Sequence, residues 1–507
     1  MLAFHRAIVA LTIALLTTAA AAQEHNGRPA GDRPARGEQT RQETAGPGVL
    51  ALLPKDAVTE HSIYLPAGKL TYTATAGTFS LFDQSGERSA AIFYTAYVAK
   101  PYDSGRPVTF VFNGGPGAGS AFLNLGLVGP RIAAFGKGFD GASVHLVDNP
   151  DTWLAFTDLV LIDPVGTGWS RPAKPDAGSA FWSVHRDAES MAKVIALYVA
   201  KNGRVSSPKY ILGESYGGFR AAKVARVLQN NQGIVARGIV MVSPMLEGHF
   251  QFGGDRFALG AALELPSLAA AELERKGNFS AAALAQAEHF ALTDYLSALA
   301  GPQLRGDAAH AFYARVAQIT GLPEDVIART RGFIHDAYVK DLHLGDHKIV
   351  SHYDATFAVD DPNPESASVH GPDPFLDGFI RAYGGAYAVY SRDELGFKTD
   401  MTYNLLAPDV SGKWDWQDGS GRSPPSVAED LRDLLAFTPS FRLMIAHGYS
   451  DMVTPYAVSG YVLNHLPANI DGERAELRLY RGGHMFYVDP QSRKAFTADA
   501  RTMYASP

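Results

Sequence analysis

The sequence predicts an α/β fold with a mostly parallel central sheet, and two kinds of segment carry this prediction. Short runs rich in β-branched and aromatic residues are typical of buried strands. They occur at 109–112, 159–162, 210–212, 239–242, 443–446 and 475–480. Between some of them lie stretches with apolar residues at helical spacing, most clearly 186–201 and 219–230. Strands that alternate with helices favour an α/β sheet over an all-helical or all-β fold.

The first 48 of the 507 residues differ in composition from the rest. Residues 1–22 have the pattern of a secretory signal, with His5 and Arg6 before an apolar stretch and the small residues Ala20-Ala21-Ala22 before Gln23. The stretch is shorter than the roughly 20 residues of a membrane span. Residues 23–48 contain no Leu, Ile, Val or aromatic residue, so we expect a disordered linker there.

The remaining chain is predicted to be a core in two parts, 49–244 and 426–507, with a helical cap inserted at 245–425. The insertion is predicted because that range contains several helix-like stretches and lacks a comparable series of strands. The helix-like stretches are 268–276, 281–300, 307–320 and 323–331.

Composition excludes several classes of protein. The chain has no cysteine, which rules out disulfides, thiolate nucleophiles, cysteine zinc sites and iron–sulfur clusters. The net charge of -7 argues against a nucleic-acid partner, because such proteins need a dominant positive field. A signal sequence without cysteines indicates a bacterial protein that is periplasmic or secreted, with no membrane anchor after signal removal.

The chain shows no pattern that predicts a metal site or a cofactor. His343 and His347 stand four residues apart, but Gly345 lies between them and no acidic residue completes a zinc motif. An ordinary pair of surface histidines is therefore expected. The oligomeric state stays open.

Ser215 lies in the pattern Gly213-Glu214-Ser215-Tyr216-Gly217, which matches G-x-S-x-G. The motif alone is weak, but here a predicted strand precedes it and a predicted helix follows. A sharp strand-to-helix turn of this kind exposes a nucleophilic serine above the sheet. The alternative is a plain glycine-rich turn.

A nucleophilic serine needs a base and a carboxylate that orients the base, and in this architecture they follow in the order Ser, acid, His. Asp451 comes just after the strand at 443–446, and His484 follows the strand at 475–480. Open α/β sheets place their sites at such strand ends. His447 is a rival base, but it precedes Asp451 and would break the order.

A third motif, Asn113-Gly114-Gly115-Pro116-Gly117, follows the strand at 109–112. Its backbone N–H groups could hold a developing oxyanion. A phosphate-binding loop is the alternative, but the Lys-Ser/Thr pair of such loops is missing.

Taken together, four motifs resemble the serine carboxypeptidase family, especially its bacterial members. They are FNGGPGAGS at 112–120, IDPVGTGWS at 162–170, GESYGG at 213–218 and GGHM at 482–485. Three segments of the predicted cap, at 263–270, 351–357 and 393–400, add to the bacterial resemblance.

This resemblance implies an α/β-hydrolase core with an inserted cap, and the removal of C-terminal residues from peptides with a free C-terminus. Ser215 matches the family's nucleophile, Asp451 its acid and His484 its base. The remaining matched residues are the oxyanion donors Gly115 and Tyr216 and the substrate-binding residues Asn113, Glu214, Gly114 and Met485. Asn113 and Glu214 match the pair that binds the terminal carboxylate. A carboxyl group donates to a carboxylate only while protonated, so binding through Glu214 should weaken as the pH rises.

Two departures from the family stand out. Leu127 occupies the place of a further glutamate, which predicts weaker C-terminal recognition and a weaker preference for acidic pH. Ala118 replaces a frequent cysteine.

Two other functions compete with an exported serine carboxypeptidase. One is an esterase or acyltransferase on the same core, since the acyl-enzyme is common to all of them. The other is a binding protein with a decayed triad.

Overall fold

The computed structural model describes residues 48–135, 143–251, 253, 256–417, 424–470 and 472–506. The predicted signal segment and all but the last residue of the predicted linker lie outside the described residues. None of the described helices is both long and apolar enough to cross a membrane.

The positions of the predicted strands are confirmed, and the structure contains further strands that the sequence did not predict. The six predicted strands are all present, most of them longer by one or two residues at their ends. The strands are β1 (Ala57–Leu65), β2 (Gly68–Phe82), β3 (Arg88–Ala99), β4 (Val108–Phe112), β5 (Arg131–Phe135), β6 (Val144–Asp148), β7 (Asp158–Ile162), β8 (Arg171–Pro172), β9 (Lys209–Glu214), β10 (Gly238–Val242), β11 (Lys348–Val350), β12 (Ala358–Asp360), β13 (Arg442–Gly448) and β14 (Ala475–Tyr480).

The helices follow the predicted alternation with the strands. They are α1 (Ala121–Leu123), α2 (Val184–Lys201), α3 (Tyr216–Val227), α4 (Gly248–Gln251), α5 (Ala258–Arg275), α6 (Ala281–Phe290), α7 (Leu296–Ala300), α8 (Gly306–Thr320), α9 (Glu324–Thr330), α10 (His335–Asp341), α11 (Pro374–Asp393), α12 (Pro408–Gly412), α13 (Ala428–Phe437), α14 (Tyr456–Asn464) and α15 (Pro490–Ala505).

One large sheet organises the described residues, with strand order β1-β2-β3-β7-β4-β9-β10-β13-β14 and β8 paired with β3. From β7 to β14 every neighbouring pair is parallel. The first three strands form an antiparallel meander that joins β7. The predicted α/β fold with a mostly parallel sheet is confirmed. Parallel order brings the carboxyl ends of β4, β7, β9, β13 and β14 to one edge, and the motifs lie at or just after the ends of these strands.

The range 245–425 packs in two different ways. Most of its first part, α5 to α10 with the β11–β12 hairpin, forms a separate apolar cluster that includes Leu265, Tyr295 and Ile327. Its later part contributes Phe379, Tyr387 and Tyr403 to the cluster on one face of the sheet, and Val410 and Trp414 to the cluster on the other. The range thus contains a helical layer with its own core and a second stretch that is part of the main core.

Three predicted helices have different limits in the structure. The stretch 268–276 is the end of α5, which begins ten residues earlier at Ala258. The stretch 281–300 is interrupted by a π-helical turn at Ala291–Tyr295, and α3 begins three residues earlier than predicted, at Tyr216. The earlier start of α3 matters for the site, because it makes Ser215 the N-cap of the helix.

Candidate active site

Ser215 sits on a strained turn between β9 and α3. Its φ of 58° and ψ of -126° lie in a region that residues with a side chain rarely adopt. The turn also leaves no room for neighbouring side chains. A Cβ on Gly213 would lie 1.9 Å from the carbonyl oxygen of Gly217, and one on Gly217 would lie 2.6 Å from that of Phe112. The two glycines are therefore required by space, as expected for a nucleophile elbow.

Backbone hydrogen bonds hold this turn against the next strand. The Ser215 N–H donates to the Val242 carbonyl at 2.9 Å, and the Ser215 carbonyl accepts from the N–H groups of Gly218 and Met245. Strain at one residue persists only where the surroundings over-determine the conformation, which these contacts do.

His484 and Asp451 are hydrogen-bonded to each other. His484 Nδ1 lies 2.9 Å from Asp451 Oδ2. Asp451 Oδ1 accepts from the backbone N–H groups of Val453 and Thr454 at 2.8 and 3.0 Å. The Thr454 hydroxyl donates to Asp451 Oδ2 at 2.7 Å. The aspartate is thus fixed by its own turn, and Nε2 is the imidazole nitrogen left for another partner.

Burial and charge act in opposite directions on His484. Burial disfavours the imidazolium, but the charge and hydrogen bond of Asp451 outweigh it, so the pKa of His484 is raised above its ordinary value. Tyr353, from the inserted range, packs edge-on against the ring at 5.1 Å, and its carbonyl accepts the His484 backbone N–H at 2.6 Å. The inserted range therefore takes part in positioning the histidine.

His447, the rival base, is buried next to Asp451 and does not line the cavity. It has no exposed surface, and its Nε2 lies 2.8 Å from Ser459 Oγ. Its Nδ1 is 4.0 Å from Asp451 Oδ2 and has no hydrogen-bond partner among the described residues. Burial lowers the pKa of His447 to about 4, so this ring is neutral at ordinary pH.

Asn113 and Glu214 form a buried pair next to Ser215. Asn113 Nδ2 donates to Glu214 Oε2, while Asn113 Oδ1 accepts from the Leu123 backbone N–H at 3.1 Å. The hydroxyl of Tyr487 donates to Glu214 Oε1 at 2.8 Å. Burial raises the pKa of Glu214 to about 7, although the charge of His484 and both hydrogen bonds oppose the rise.

A buried ion pair supports the loop that carries Asn113. Arg220, on α3, donates through Nε to Asp187 Oδ2 at 2.6 Å and through Nη1 to the Asn113 carbonyl at 2.5 Å. Its guanidinium lies 5.0 Å from the centre of the Tyr216 ring. Helices α2 and α3 therefore fix the loop and the elbow relative to each other.

A cavity of about 310 Å³ opens over these residues. Eight of the nine residues predicted for the site line it; the ninth, Asp451, is buried behind His484. The eight are Asn113, Gly114, Gly115, Glu214, Ser215, Tyr216, His484 and Met485. The structure brings the predicted residues together from β4, β9, α3, β13 and the loop after β14.

The rest of the cavity wall is mostly apolar and was not predicted as site. Among the described residues, Gln251 is the one further lining residue with an amide side chain, and no further lining residue is charged. The apolar lining residues are Ala118, Phe122, Met245, Leu376, Leu406, Trp416 and Val453, together with the aromatic Tyr353. No sequence motif marks most of them, because they are joined only by folding.

Thr454 and Tyr487, which hydrogen-bond to Asp451 and Glu214, were also not predicted from the sequence. Each lies three residues after a predicted site residue, Asp451 or His484. That proximity is the signal that could have found them. Within the described residues no three histidine, aspartate or glutamate side chains are grouped to hold a metal ion.

The sheet order and the strained serine turn define the class of protein as an α/β-hydrolase. A prohormone-processing carboxypeptidase from Saccharomyces cerevisiae has a similar structure over 86% of this chain and 91% of its own, with a TM-score of 0.53 and 15% identity. A proline iminopeptidase from Mycobacterium smegmatis matches over 85% and 98%, with a TM-score of 0.38 and 15% identity. A homoserine O-acetyltransferase from Bacillus anthracis matches over 90% and 99%, with a TM-score of 0.37 and 11% identity.

The family model of the serine carboxypeptidases matches residues 72–252, which include Asn113, Glu214 and Ser215. The resemblance seen in the motifs is confirmed over this segment, and so is the predicted enzyme class, a serine-type carboxypeptidase. No curated protein sequence matches the chain.

Proposed function

We propose that the protein removes the C-terminal residue of peptides through an acyl-enzyme on Ser215. One observation carries the proposal. A single cavity contains a strained serine, a histidine bonded to a buried aspartate, and a buried carboxyl–amide pair. The first three groups suit acyl transfer, and the pair suits recognition of a terminal carboxylate.

In the first half of the reaction, Ser215 Oγ attacks the carbonyl carbon of the last peptide bond while His484 Nε2 takes the hydroxyl proton. Asp451 keeps the Nδ1 proton of His484 in place and stabilises the imidazolium. The backbone N–H groups of Gly115 and Tyr216 would stabilise the oxyanion, the latter at the positive end of α3. The C–N bond then breaks, and His484 returns the proton to the leaving amine.

In the second half, a water molecule attacks the ester of Ser215 and gives a proton to His484. Collapse of the second tetrahedral intermediate releases the shortened peptide and restores the Ser215 hydroxyl. The reaction consumes one water and needs no other reactant.

Recognition of the substrate's end is assigned to Asn113 and Glu214, with Gly114 and Met485 beside them. A carboxylate binds to Glu214 only if Glu214 carries the proton that lies between them. A pKa of about 7 keeps that proton in place through the acidic range. Binding of free-acid peptides should therefore be best below pH 7 and weaken above it.

The test compares a blocked dipeptide with its C-terminal amide and its methyl ester at pH 6. We expect kcat/KM to be higher for the free acid than for the amide, with the difference mainly in KM. Ser215→Ala is the control for contaminating activity. Equal KM values for the acid and the amide, with ready cleavage of the ester, would instead support an esterase or acyltransferase.

We also propose that the protein is exported and that residues 1–22 are removed as a signal. The proposal rests on the composition of this segment, with its apolar stretch and the alanines before Gln23. N-terminal sequencing of the protein from the periplasm or medium of a bacterial host should begin at Gln23. Recovery of the uncleaved chain from the cytosol would contradict export.

A further inference from the structure

Tyr487 is a buried phenol that the proposed mechanism does not use. It lies in a short turn three residues after His484 and has no exposed surface. Its hydroxyl donates to Glu214 Oε1 at 2.8 Å, while Asn113 donates to Oε2. Each oxygen of the Glu214 carboxyl group therefore has its own donor, which fixes the plane of the group.

We propose that Tyr487 is a positioning residue for recognition of the substrate's C-terminus, acting through the orientation and protonation of Glu214. The inference rests on the proposed function, because it gives Glu214 a substrate carboxylate to bind. Tyr487 acts on Glu214 and not on the bond that is cleaved.

The residues around Tyr487 hold its ring in place for the hydrogen bond to Glu214. A Cβ on Gly126 would lie 2.8 Å from Tyr487 Cε2 and 2.8 Å from the Tyr383 hydroxyl, so only glycine leaves room for both rings. Arg493 holds the other side of Tyr487, since its Nη1 donates to the Tyr487 carbonyl at 3.3 Å and its Nε is paired with Asp151.

Leu127, the residue after Gly126, explains why the donor to Glu214 has to come from another segment. Leu127 is fully buried within the apolar cluster below the site and cannot hydrogen-bond to Glu214. In this chain the turn after His484 supplies a donor next to Glu214 instead. A phenol differs from a carboxyl group in the pH at which it loses its proton. Burial raises the pKa of Tyr487 well above its ordinary value, so it donates throughout the working pH range.

The groups that face Glu214 set the direction of the expected effect. Burial raises the pKa of Glu214, and the charge of Asp451 adds to the rise. The charge of His484 and the hydrogen bonds from Tyr487 and Asn113 lower it. The other titratable neighbours are the phenols of Tyr353 and Tyr383, whose own pKa values are raised. Removing the Tyr487 hydroxyl should therefore raise the pKa of Glu214.

The experiment measures KM and kcat for a blocked free-acid dipeptide from pH 5 to 9 in the parent and in Tyr487→Phe. The variant keeps the ring and removes only the donor. We expect the pH at which KM rises to move upward by about one unit, as the loss of a hydrogen bond to a charged group implies. KM at pH 5 should also increase several-fold because the carboxyl group is less well oriented, whereas kcat should change little.

Two further variants separate this role from packing. Tyr383→Phe alters a neighbouring buried phenol that, among the described side chains, makes no hydrogen bond to Glu214, and it should leave the KM profile in place. In a Glu214→Gln background, Tyr487→Phe should cause no shift, because no carboxyl group remains to titrate. Gly126→Ala displaces the Tyr487 ring without removing the hydroxyl, so it should shift the profile in the same direction as Tyr487→Phe, even if the latter folds poorly.

The outcomes distinguish the inference from the function on which it rests. If the parent does not prefer the free acid to the amide, the proposed function is wrong. If the parent shows that preference and a KM inflection, but Tyr487→Phe leaves the inflection where it was, only the role of Tyr487 is wrong. An equal shift in Tyr383→Phe, or a shift that persists in the Glu214→Gln background, would also overturn it.

Discussion

The two histidines near Asp451 show how position alone separates a base from a structural side chain. His484 lines the cavity with Nδ1 bonded to Asp451, which leaves Nε2 for a serine proton. His447 is fully buried, does not line the cavity and is hydrogen-bonded to Ser459. Both lie within 4.0 Å of the same carboxylate oxygen, yet only one of them lines the cavity with Ser215.

The first prediction concerns the triad as a unit. Ser215→Ala and His484→Ala should each lower kcat by a factor on the order of 10⁶, and the double variant should be no worse than either, because the residues act together. Steady-state kinetics on a blocked dipeptide measures this, with thermal unfolding as the check on folding. Clearly additive losses would contradict a shared role.

The second prediction concerns His447. His447→Gln should lower kcat far less than His484→Ala, while reducing the free energy of unfolding at pH 7 by about 1–3 kcal/mol through loss of a buried hydrogen bond. The parent should be the more sensitive to acid. Its His447 has a pKa of about 4 when folded and about 6.5 when unfolded, so the unfolded chain binds more protons between these values.

Consequently the stability that His447 contributes is complete above pH 6.5 and is lost as the pH falls towards 4. At pH 5 the loss amounts to about 2 kcal/mol. Urea unfolding at pH 7 and pH 5 should show the gap between the parent and His447→Gln narrowing by this amount. A gap of constant size would show that His447 does not titrate as described.

At the scale of elements, β9 and α3 approach each other so closely at their turn that Gly213 and Gly217 leave no room for a side chain. The last residues of β9 and the first turn of α3 approach within van der Waals contact at Gly213 and Gly217. The cost of the strained serine is offset by the parallel neighbours β4 and β10, which fix β9 on both sides. The sheet thus holds the nucleophile in a conformation that the local sequence does not favour.

The third prediction uses two glycines as a matched pair. Gly213→Ala should unfold the protein or greatly destabilise it, because its Cβ would lie 1.9 Å from a backbone oxygen that cannot move away. Gly385 lies in the exposed middle of α11, where an added Cβ would meet no atom within 4 Å. Gly385→Ala should therefore raise the free energy of unfolding by up to about 1 kcal/mol. Thermal unfolding of both variants checks this. A well-folded, active Gly213→Ala would contradict the elbow geometry.

At the scale of the whole molecule, the cavity is built from three parts of the chain. The motif residues come from both parts of the core, whereas Gln251, Tyr353, Leu376, Leu406 and Trp416 come from the range between β10 and β13. Their side chains make the wall mostly apolar, and the titratable groups Glu214 and His484 in it already have partners. The inserted range therefore shapes which substrates fit.

The fourth prediction follows from this apolar wall. Blocked dipeptides with Leu or Phe on either side of the cleaved bond should have kcat/KM values at least about tenfold higher than those with Lys or Asp, because a charged side chain would lose its hydration without gaining a partner. A substrate panel at pH 6 measures the ranking. Preference for a charged residue at both positions would show that another surface selects the substrate.

The sequence predicted the parallel part of the fold well and the remainder less well. Strands β4, β7, β9, β10 and β13 are short, mostly buried runs of apolar residues, which is a strong local signal. The meander β1–β3 was missed because β2 and β3 contain many threonines and alanines, which give a weaker strand signal than valine and isoleucine. The two strands also share no common pattern, since β2 alternates between buried and partly buried residues whereas β3 is buried along most of its length. Helix α11 was missed although Asp373 caps it, because Gly384 and Gly385 lower its helical propensity.

The sequence by itself determined the fold class and the motif residues, because a strained turn and a buried strand require particular residue types at fixed spacing. It did not determine what those residues contact. The contact between Tyr487 and Glu214 depends on the distance between segments far apart in the chain. The contacts of Thr454 and His447 with Asp451 depend on how the turn after β13 folds back on its strand. Such distances are set by how the sheet and helices pack together, and no local pattern of residues contains them.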